Sequence, residues 1–237
     1  MRLGGVTNAA ETVVAYLRSK FDSIESIIPA FAMSAGTMIS LATDRIIMGR
    51  QSQLGPIDPQ MPVMGRYVSA RAIVDQFERA KGEILANLNA AHVWAPILQS
   101  LGPALLNEAD NALAYGETMV TKWLSERMLK GQDEVAAATA AHFNDASKHK
   151  SHGRRIDRDE ARANNVIVDN LEDNQQLQEA VLTAYHLMTI LFEQGPAAKI
   201  LVNNKGRTWV KNIGSQIQIP IPQMQQIPIQ IPHPQQA

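Results

Sequence analysis

Residues 26–43, SIIPAFAMSAGTMISLAT, contain no charged side chain, yet Pro29, Ser34 and Gly36 stand among them. Three structures can hold such a stretch: a membrane span, a buried core segment, or a turn from a strand into a helix that presents a serine. A span needs about 20 mostly apolar residues. This stretch is shorter, and its second half is rich in Ser, Thr, Ala and Gly, so its composition argues against a membrane span.

The bulk composition excludes several classes of protein. The chain has 237 residues and a net charge of -1, so its length suits one large domain or two small ones. The near-zero charge gives no reason to expect nucleic acid or an anionic membrane surface as a partner. No cysteine is present, which excludes a disulfide framework and a thiol nucleophile. Residues 1–14 lack the apolar core of a signal peptide, so we expect a cytoplasmic protein.

Helical and strand-like segments alternate on either side of Ser34. The patterns predict a helix over 8–21, a buried strand over 26–32, a short helix over 35–43 and a strand over 45–48. Residues 52–62 are rich in proline and predict a loop. Such alternation is typical of an α/β fold with a parallel sheet.

A largely helical middle region follows, over 69–144, with breaks at Gly102-Pro103 and Gly131. The next predicted elements are a basic loop at 147–155, a helix at 157–164 opened by a D-x-x-E capping box, a strand at 166–168 and an amphipathic helix at 174–194.

The carboxy-terminal residues differ in kind. Residues 212–237 are rich in Pro, Gln and Ile and contain no Asp, Glu, Lys or Arg. Closely spaced prolines are incompatible with a helix or a central strand. We expect a disordered tail with polyproline II character; the alternative is an apolar strip that docks on a neighbouring subunit. The domain prediction is therefore a domain at 1–211 and a low-complexity tail at 212–237.

The predicted turn at Ser34 could support catalysis. Unpaired backbone N–H groups point outward at a helix amino terminus. The N–H of Ala35 could therefore bind the oxyanion formed when Ser34 attacks a carbonyl group. A small serine in a tight turn can equally serve packing alone, and the local pattern leaves both interpretations open.

The longer stretch AFAMSAGTMISLATDRIIMGRQSQLGPIDPQ, residues 30–60, resembles the serine dehydrogenase proteinase family. That family belongs with Clp protease and signal peptide peptidase A, which have a crotonase-like fold. Further similar stretches are Leu3-Gly4-Gly5, SHGRRIDRDEARANNVIVDNL at 151–171 and AAKILVNNKGRTWVK at 197–211. The resemblance extends from Gly4 to about Lys211 and leaves out the tail.

The resemblance implies a crotonase-like α/β fold, with a parallel sheet flanked by helices, and serine peptidase activity without a cofactor. Ser34 would attack the peptide carbonyl, and the N–H groups of Ala35 and Gly5 would form the oxyanion hole. The group typically assembles into homo-oligomers and acts on peptides or proteins. In the family a segment with the first strands of the sheet precedes the Gly-Gly turn, so we expect a fold that lacks those strands.

Two candidates remain for the general base that a serine hydroxyl needs. Clp protease has a histidine on the strand where this sequence offers Asp58, and His152 falls close to where Clp protease carries its triad aspartate. The triad would then be Ser34–His152–Asp58 with two roles exchanged. Signal peptide peptidase A uses a lysine, and Lys122 would serve if burial lowers its pKa. A solvated His152, a turn-forming Asp58 and a surface Lys122 are the non-catalytic readings.

Two functions stay open at this point. The first is a serine peptidase that works as a homo-oligomer through the apolar surface of residues 69–144; the intact elbow favours it. The second is a non-catalytic scaffold subunit of the same fold, which the lack of a strand histidine and of the first strands favours. The other histidines show no metal-binding spacing, so we expect no metal; they are His92, His142, His149, His186 and His233.

Overall fold

The computed structural model describes residues 7–213. Gly5 and the tail from residue 214 onward lie outside the described residues, so both remain predictions. The chain divides into two compact units, the first ending at Tyr185 and the second beginning at His186. The single domain expected over 1–211 likewise stays a prediction.

The first unit is a mixed α/β structure. Its elements are α1 (Thr7–Arg18), β1 (Glu25–Ile28), β2 (Phe31–Ala32), α2 (Ala35–Leu41), β3 (Arg45–Met48), β4 (Gln53–Leu54), β5 (Gln60–Val63), β6 (Arg66–Ser69), α3 (Ala70–Ala86), α4 (Ala91–Leu101), α5 (Leu105–Glu126), α6 (Asp133–Asn144), α7 (Ala146–His149), α8 (Arg158–Ala163), β7 (Val168–Asn170) and the start of α9 (Gln175–Gln194). Two short 3₁₀ turns lie at Leu88–Ala90 and Leu171–Asp173.

Two parallel sheets organise this unit. The first has the strand order β1-β3-β7, with Ile27 opposite Ile47 and Ile46 opposite Val168. The second pairs β2 with β4, so that Ala32 lies opposite Leu54. These pairings confirm the α/β prediction with parallel strands; the crotonase-like topology remains an expectation.

The strand predicted over 26–32 is corrected to two strands in two different sheets. Pro29 has no N–H for a ladder and separates β1 from β2. The carbonyl of Ala30 then accepts a hydrogen bond from the N–H of Gln53 at 2.8 Å, which starts the pairing with β4. The chain therefore changes sheet three residues before Ser34 is reached.

The loop predicted over 52–62 is also corrected, because it contains β4 and the start of a hairpin. Strands β5 and β6 pair antiparallel, and positive φ angles at Met64 (48°) and Gly65 (81°) make the turn between them. A two-residue turn of this kind matches the twist of hairpin strands. Because φ > 0 is unusual for methionine, the sequence Met-Gly gave little signal.

The helical middle region is confirmed. It contains α3 to α6, and Gly102 and Gly131, with φ of 82° and 81°, stand at the predicted breaks. The predicted helix start at Asp157 is confirmed, because its carboxylate accepts hydrogen bonds from the N–H groups of Asp159 and Glu160. The other half of the capping box is replaced, because the side chain of Glu160 pairs with Arg154. No helix within residues 7–213 is long and apolar enough to cross a membrane.

The main core joins α2 and the parallel strands to α5, α6 and α8. Its fully buried members include Leu41, Ile46, Met48, Leu54, Val120, Leu124, Phe143 and Ile156. A smaller cluster between α3 and α5 contains Ala70, Ile73, Ala109 and Leu113. The predicted elbow at Ser34 thus lies at the amino-terminal end of a helix that packs in the main core.

The second unit contains the end of α9 and the antiparallel pair β8 (Ala197–Val202) and β9 (Thr208–Asn212). The predicted helix over 174–194 is confirmed. The strands were not predicted, although Gly206, with φ 71°, marks the turn between them.

Candidate active site

Ser34 occupies a strained turn between β2 and α2. Its φ of 53° and ψ of −118° lie in a region that side-chain-bearing residues rarely adopt and that costs on the order of 1–3 kcal/mol. The turn is fixed by two backbone hydrogen bonds, from the N–H of Gly36 to the carbonyl of Met33 at 2.9 Å and from the N–H of Met38 to the carbonyl of Ser34 at 3.0 Å. A serine held in a sharp strand-to-helix turn is the geometry of a nucleophile elbow.

Thr37 joins this elbow to the loop that follows β4. Its hydroxyl oxygen lies 2.7 Å from the carbonyl of Ala32 and 2.9 Å from that of Gly55, and accepts from the N–H of Gly55 at 3.1 Å. A hydroxyl has one proton, so it donates to one carbonyl at a time. The side chain of Met33 packs closely on Gly55, and a Cβ there would lie 2.3 Å from the Cε of Met33, so a larger residue would require this side chain to shift.

The elbow presents two groups without partners. Neither the hydroxyl of Ser34 nor the N–H of Ala35 makes a hydrogen bond within residues 7–213. Ala35 is the first residue of α2, where a backbone N–H has no partner inside the helix. The hydroxyl of Ser34 and the N–H of Ala35, which the sequence predicts as nucleophile and oxyanion donor, are therefore adjacent in this turn; their roles remain predictions. The second predicted donor, Gly5, lies outside the described residues.

The structure brings His152 and Asp58 together. Nδ1 of His152 lies 2.7 Å from Oδ1 of Asp58, whose other oxygen accepts from Nε2 of Gln60 at 2.7 Å. Asp58 is 2 % exposed, whereas the side chain of His152 is 27 % exposed. A carboxylate accepts hydrogen bonds, so the imidazole donates through Nδ1 and keeps Nε2 as its free basic nitrogen.

Backbone contacts fix both members of this pair. The N–H of Ile57 donates to the carbonyl of Phe143 at 2.9 Å, which holds the residue next to Asp58. Leu54 and Ile156 exchange two hydrogen bonds, at 2.8 and 3.0 Å, four residues before Asp58 and four after His152. Since Leu54 also pairs with Ala32, the same short strand serves the elbow and the His152–Asp58 pair.

Ser34 and His152 are not in hydrogen-bond contact in this structure. An open cleft of about 300 Å³ adjoins the His152–Asp58 pair, and its lining includes Gln60 and Arg71 but not Ser34. The elbow and the His152–Asp58 pair are therefore two separate halves of the candidate site, and both are connected to β4.

Lys122 does not meet the condition on which the lysine alternative depended. Its side chain on α5 is 69 % exposed, and its ammonium lies 3.9 Å from a carboxylate oxygen of Glu126. The lysine alternative required a buried side chain, whereas the side chain of Lys122 is exposed to water. The non-catalytic reading of Lys122 as a surface residue fits this placement.

Sequence reasoning missed Thr37 and Gln60. Thr37 follows the serine at helical spacing and reads as an ordinary helix residue, and Gln60 stands among prolines in a predicted loop. Their contacts depend on the approach of residues far apart in the chain, which no local pattern encodes. No group of His, Asp and Glu within residues 7–213 is arranged to hold a metal ion.

Comparison with known proteins agrees with the resemblance. Residues 2–89 match the family model of ClpP-like SDH-type serine proteinases, a stretch that contains Ser34 and Asp58 but not His152. An uncharacterized protein of Methanocaldococcus jannaschii is 33% identical over 135 residues, which are 54% of this chain and 43% of that protein. A second uncharacterized protein of the same organism is 40% identical over 80 residues, 34% of this chain and 26% of that protein. The chain spans less than half the length of these relatives, and no solved structure matches it.

Proposed function

We propose that the protein is a serine peptidase with Ser34 as its nucleophile, and the match of residues 2–89 to the family model of ClpP-like SDH-type serine proteinases supports this proposal. The observation that carries the proposal is the conformation of Ser34, with φ 53° and a hydroxyl that has no hydrogen-bond partner within residues 7–213. Strain of this kind persists only where the surrounding structure imposes it, and it clusters at functional sites.

In the proposed reaction the oxygen of Ser34 attacks the peptide carbonyl carbon while Nε2 of His152 takes the hydroxyl proton. The carbonyl oxygen becomes an oxyanion that the N–H groups of Ala35 and Gly5 stabilise. The C–N bond then breaks, and His152 returns the proton to the leaving amine. Water, deprotonated by His152, hydrolyses the acyl-enzyme. Asp58 keeps the imidazole in the tautomer that this cycle needs.

This cycle requires Nε2 of His152 to lie within about 3 Å of the Ser34 hydroxyl when substrate is bound. Catalytic hydrogen bonds are often long or absent without substrate and form in the Michaelis complex. Support comes from the pairing with Asp58 and from β4, which joins the two halves through Leu54.

A serine-reactive fluorophosphonate probe tests the proposal directly. We expect the probe to label Ser34, as located by peptide mass spectrometry, and Ser34→Ala to abolish labelling. Ser40→Ala is the matched control, because Ser40 lies on the same helix but its hydroxyl donates to the carbonyl of Gly36 at 2.8 Å. A parent chain that takes up no probe at any pH between 5 and 9 would refute the assignment.

One observation favours a second candidate, a non-catalytic scaffold subunit: the Ser34 hydroxyl has no base in hydrogen-bond contact within residues 7–213. A scaffold would keep the elbow as a structural turn. It would show no labelling, and Ser34→Ala would leave its assembly unchanged, whereas a peptidase loses turnover with the same substitution.

We also propose that the protein acts on peptides or proteins as a cytoplasmic homo-oligomer. The exposed apolar side chains Leu85, Leu88 and Val93 around the junction of α3 and α4 support assembly, because large apolar side chains grouped on a surface mark contact sites. Light scattering tests the assembly: a species of 26.0 kDa alone at micromolar concentration would contradict it. Cell fractionation tests the location.

A further inference from the structure

Side chains from residues on both sides of His152 in the sequence form a second polar cluster, which takes no part in the proposed chemistry. We call His142, His149, Arg154 and Glu160 the Arg154 cluster. Both histidines are buried, and Nε2 of His149 donates to the backbone carbonyl of His142 at 2.7 Å. This bond ties the start of the His152 loop to the end of α6.

Arg154 closes the other end of the loop. Its Nη1 donates to Oε1 of Glu160 at 2.7 Å and to Nδ1 of His149 at 3.3 Å. His149 and Arg154 stand three residues before and two residues after His152, so their contact joins the two ends of the segment that carries the proposed base. Within the loop, the N–H of Arg154 also donates to the carbonyl of Ser151 at 3.0 Å.

The anchor of this contact is itself fixed. Glu160 lies in the first turn of α8, where the carboxylate of Asp157 accepts from its backbone N–H at 3.0 Å. Nε2 of His142 lies 3.6 Å from Glu160, and its Nδ1 lies 2.9 Å from Nζ of Lys148. Burial, with the nearby charge of Lys148, lowers the pKa of His142 to about 4. His142 is then neutral near pH 7 and forms no ion pair with Glu160, so Arg154 is the charged partner of this carboxylate within the cluster.

We infer that Arg154 and Glu160 are positioning residues, which hold His152 against Asp58 by closing the 149–154 loop. Arginine suits this role because Nη1 carries two protons and can serve two acceptors at once. The geometric inference concerns the His152–Asp58 pair, and its catalytic consequence rests on the proposed function. If the Arg154–Glu160 ion pair only stabilised the fold, a folded variant without it would keep the hydrogen bond between His152 and Asp58.

Arg154→Met tests the inference with two readouts. We expect the ring N–H proton resonance of His152, assigned by its loss in His152→Gln, to broaden or disappear. We expect the rate at which the fluorophosphonate labels Ser34 to fall about 10- to 100-fold, since misplacement by about 1 Å can cost that much. Arg154→Lys should restore part of the rate, because an ammonium can still pair with Glu160.

Arg155→Met is the matched control. Its guanidinium donates to the backbone carbonyl of Arg50 at 3.0 Å and takes no part in the cluster, so both readouts should stay at parent values. If Arg154→Met does not fold, Glu160→Gln replaces it, with Asp159→Asn as the control on the same helix. Asp159 is exposed and pairs with Arg162.

The peptidase activity and the positioning role of Arg154 and Glu160 can be refuted independently of each other. A parent chain that is never labelled refutes the peptidase proposal but leaves the resonance as a test of positioning. A folded Arg154→Met or Glu160→Gln protein with the parent's His152 resonance and labelling rate overturns the positioning role. Equal effects of Arg154→Met and Arg155→Met would also overturn it, because they would show a response to charge alone.

Discussion

Residues 26–43 and helix α4 are both apolar, but the first stretch is largely buried and the second is largely exposed. Both lack Asp, Glu, Lys and Arg. The first stretch places α2 in the main core, where Leu41 is 0 % exposed, whereas α4 has no buried residue and Val93 on it is 65 % exposed. Apolar composition therefore predicts that a segment is buried, but it does not identify whether its own chain or another subunit buries it.

The difference follows from the neighbours that each segment finds. Small residues around Ser34 let α2 approach the β2–β4 pair, and a Cβ on Gly36 would lie 3.4 Å from that of Ala32. Helix α4 has Pro96 in its interior, which removes one backbone donor. Within residues 7–213, no element buries the apolar side chains of α4 as the main core buries those of α2. The first region should thus govern folding and chemistry, and the second should govern assembly.

The largest expected effect is on the chemistry of the first region. Ser34→Ala should lower peptidase activity by at least about 10⁴-fold, because it removes the nucleophile of a catalytic unit. The measurement is turnover of a fluorogenic peptide, beside the thermal unfolding midpoint Tm. Parent-like turnover by Ser34→Ala would break the division between a chemical region and an assembly region.

Ser34→Gly separates loss of the hydroxyl from the strain of the turn. It should be as inactive as Ser34→Ala but more stable than it by about 1 kcal/mol, because glycine adopts φ 53° without a steric penalty. Denaturant unfolding of the two variants gives this difference. A Gly variant less stable than the Ala variant would show that the elbow is not strained.

The next largest effect is on stability, and it compares the two regions directly. Leu41→Ala should lower the free energy of unfolding by about 2–5 kcal/mol, because it leaves a cavity in the main core. Val93→Ala on α4, measured at a concentration where the chain is dissociated, should change it by less than about 0.5 kcal/mol. Similar losses in both variants would mean that α4 is covered in solution even within one chain.

A pH titration extends the comparison to two histidines, the buried His142 on α6 and the exposed His92 on α4. Burial and the charge of Lys148 lower the pKa of His142 from 6.5 to about 4. Between these values the unfolded chain binds a proton that the folded chain does not, so stability is full above pH 6.5 and falls as the pH drops toward 4. At about 1.4 kcal/mol for each pKa unit, the loss approaches 3 kcal/mol.

His142→Gln should flatten this pH dependence of the unfolding free energy, measured from pH 7 to 4. The exposed His92 on α4 supplies the control, and His92→Gln should keep the parent's slope. The carboxylates with lowered pKa values, such as Asp44 and Glu172, lose their contribution only as the pH falls past their ordinary pKa values of 3.8 and 4.5, at the acid end of this window and below it. A slope unchanged by His142→Gln would show that the burial of this histidine has no energetic consequence.

Much of the fold follows from local patterns, and the failures have physical causes. Helix periodicity found α1, α2 and α9, and the capping box at Asp157 located α8. The sheet change at Pro29 and the β5–β6 hairpin were missed, because a strand's partner is chosen by residues distant in sequence. A proline or a Met-Gly pair signals an interruption but not the new partner.

The candidate site shows the same difference between features that local sequence encodes and features that depend on distant residues. Ser34 and Ala35 could be predicted because an elbow is local, built from consecutive residues at one turn. The pairing of Asp58 with His152, 94 residues apart, came from the family resemblance and is present in the structure. Thr37, Gln60 and the Arg154 cluster gave no signal, since buried polar contacts of this kind are fixed only when distant loops pack.

The smallest effect on the folded chain, and the sharpest test of the second region, is expected from a charge on α4. Val93→Asp should leave Tm of the dilute protein almost unchanged, because an exposed substitution of this kind is worth less than about 0.5 kcal/mol. The same carboxylate at an apolar contact between subunits would be buried without a partner and would shift the mass measured by light scattering toward 26.0 kDa. Gln99→Glu adds the same charge to the same helix without replacing an apolar side chain, so it should leave the mass of the assembly as it is. If Val93→Asp and Gln99→Glu both keep the parent's mass, α4 is not the assembly surface, and the contrast between the two apolar regions would need another cause.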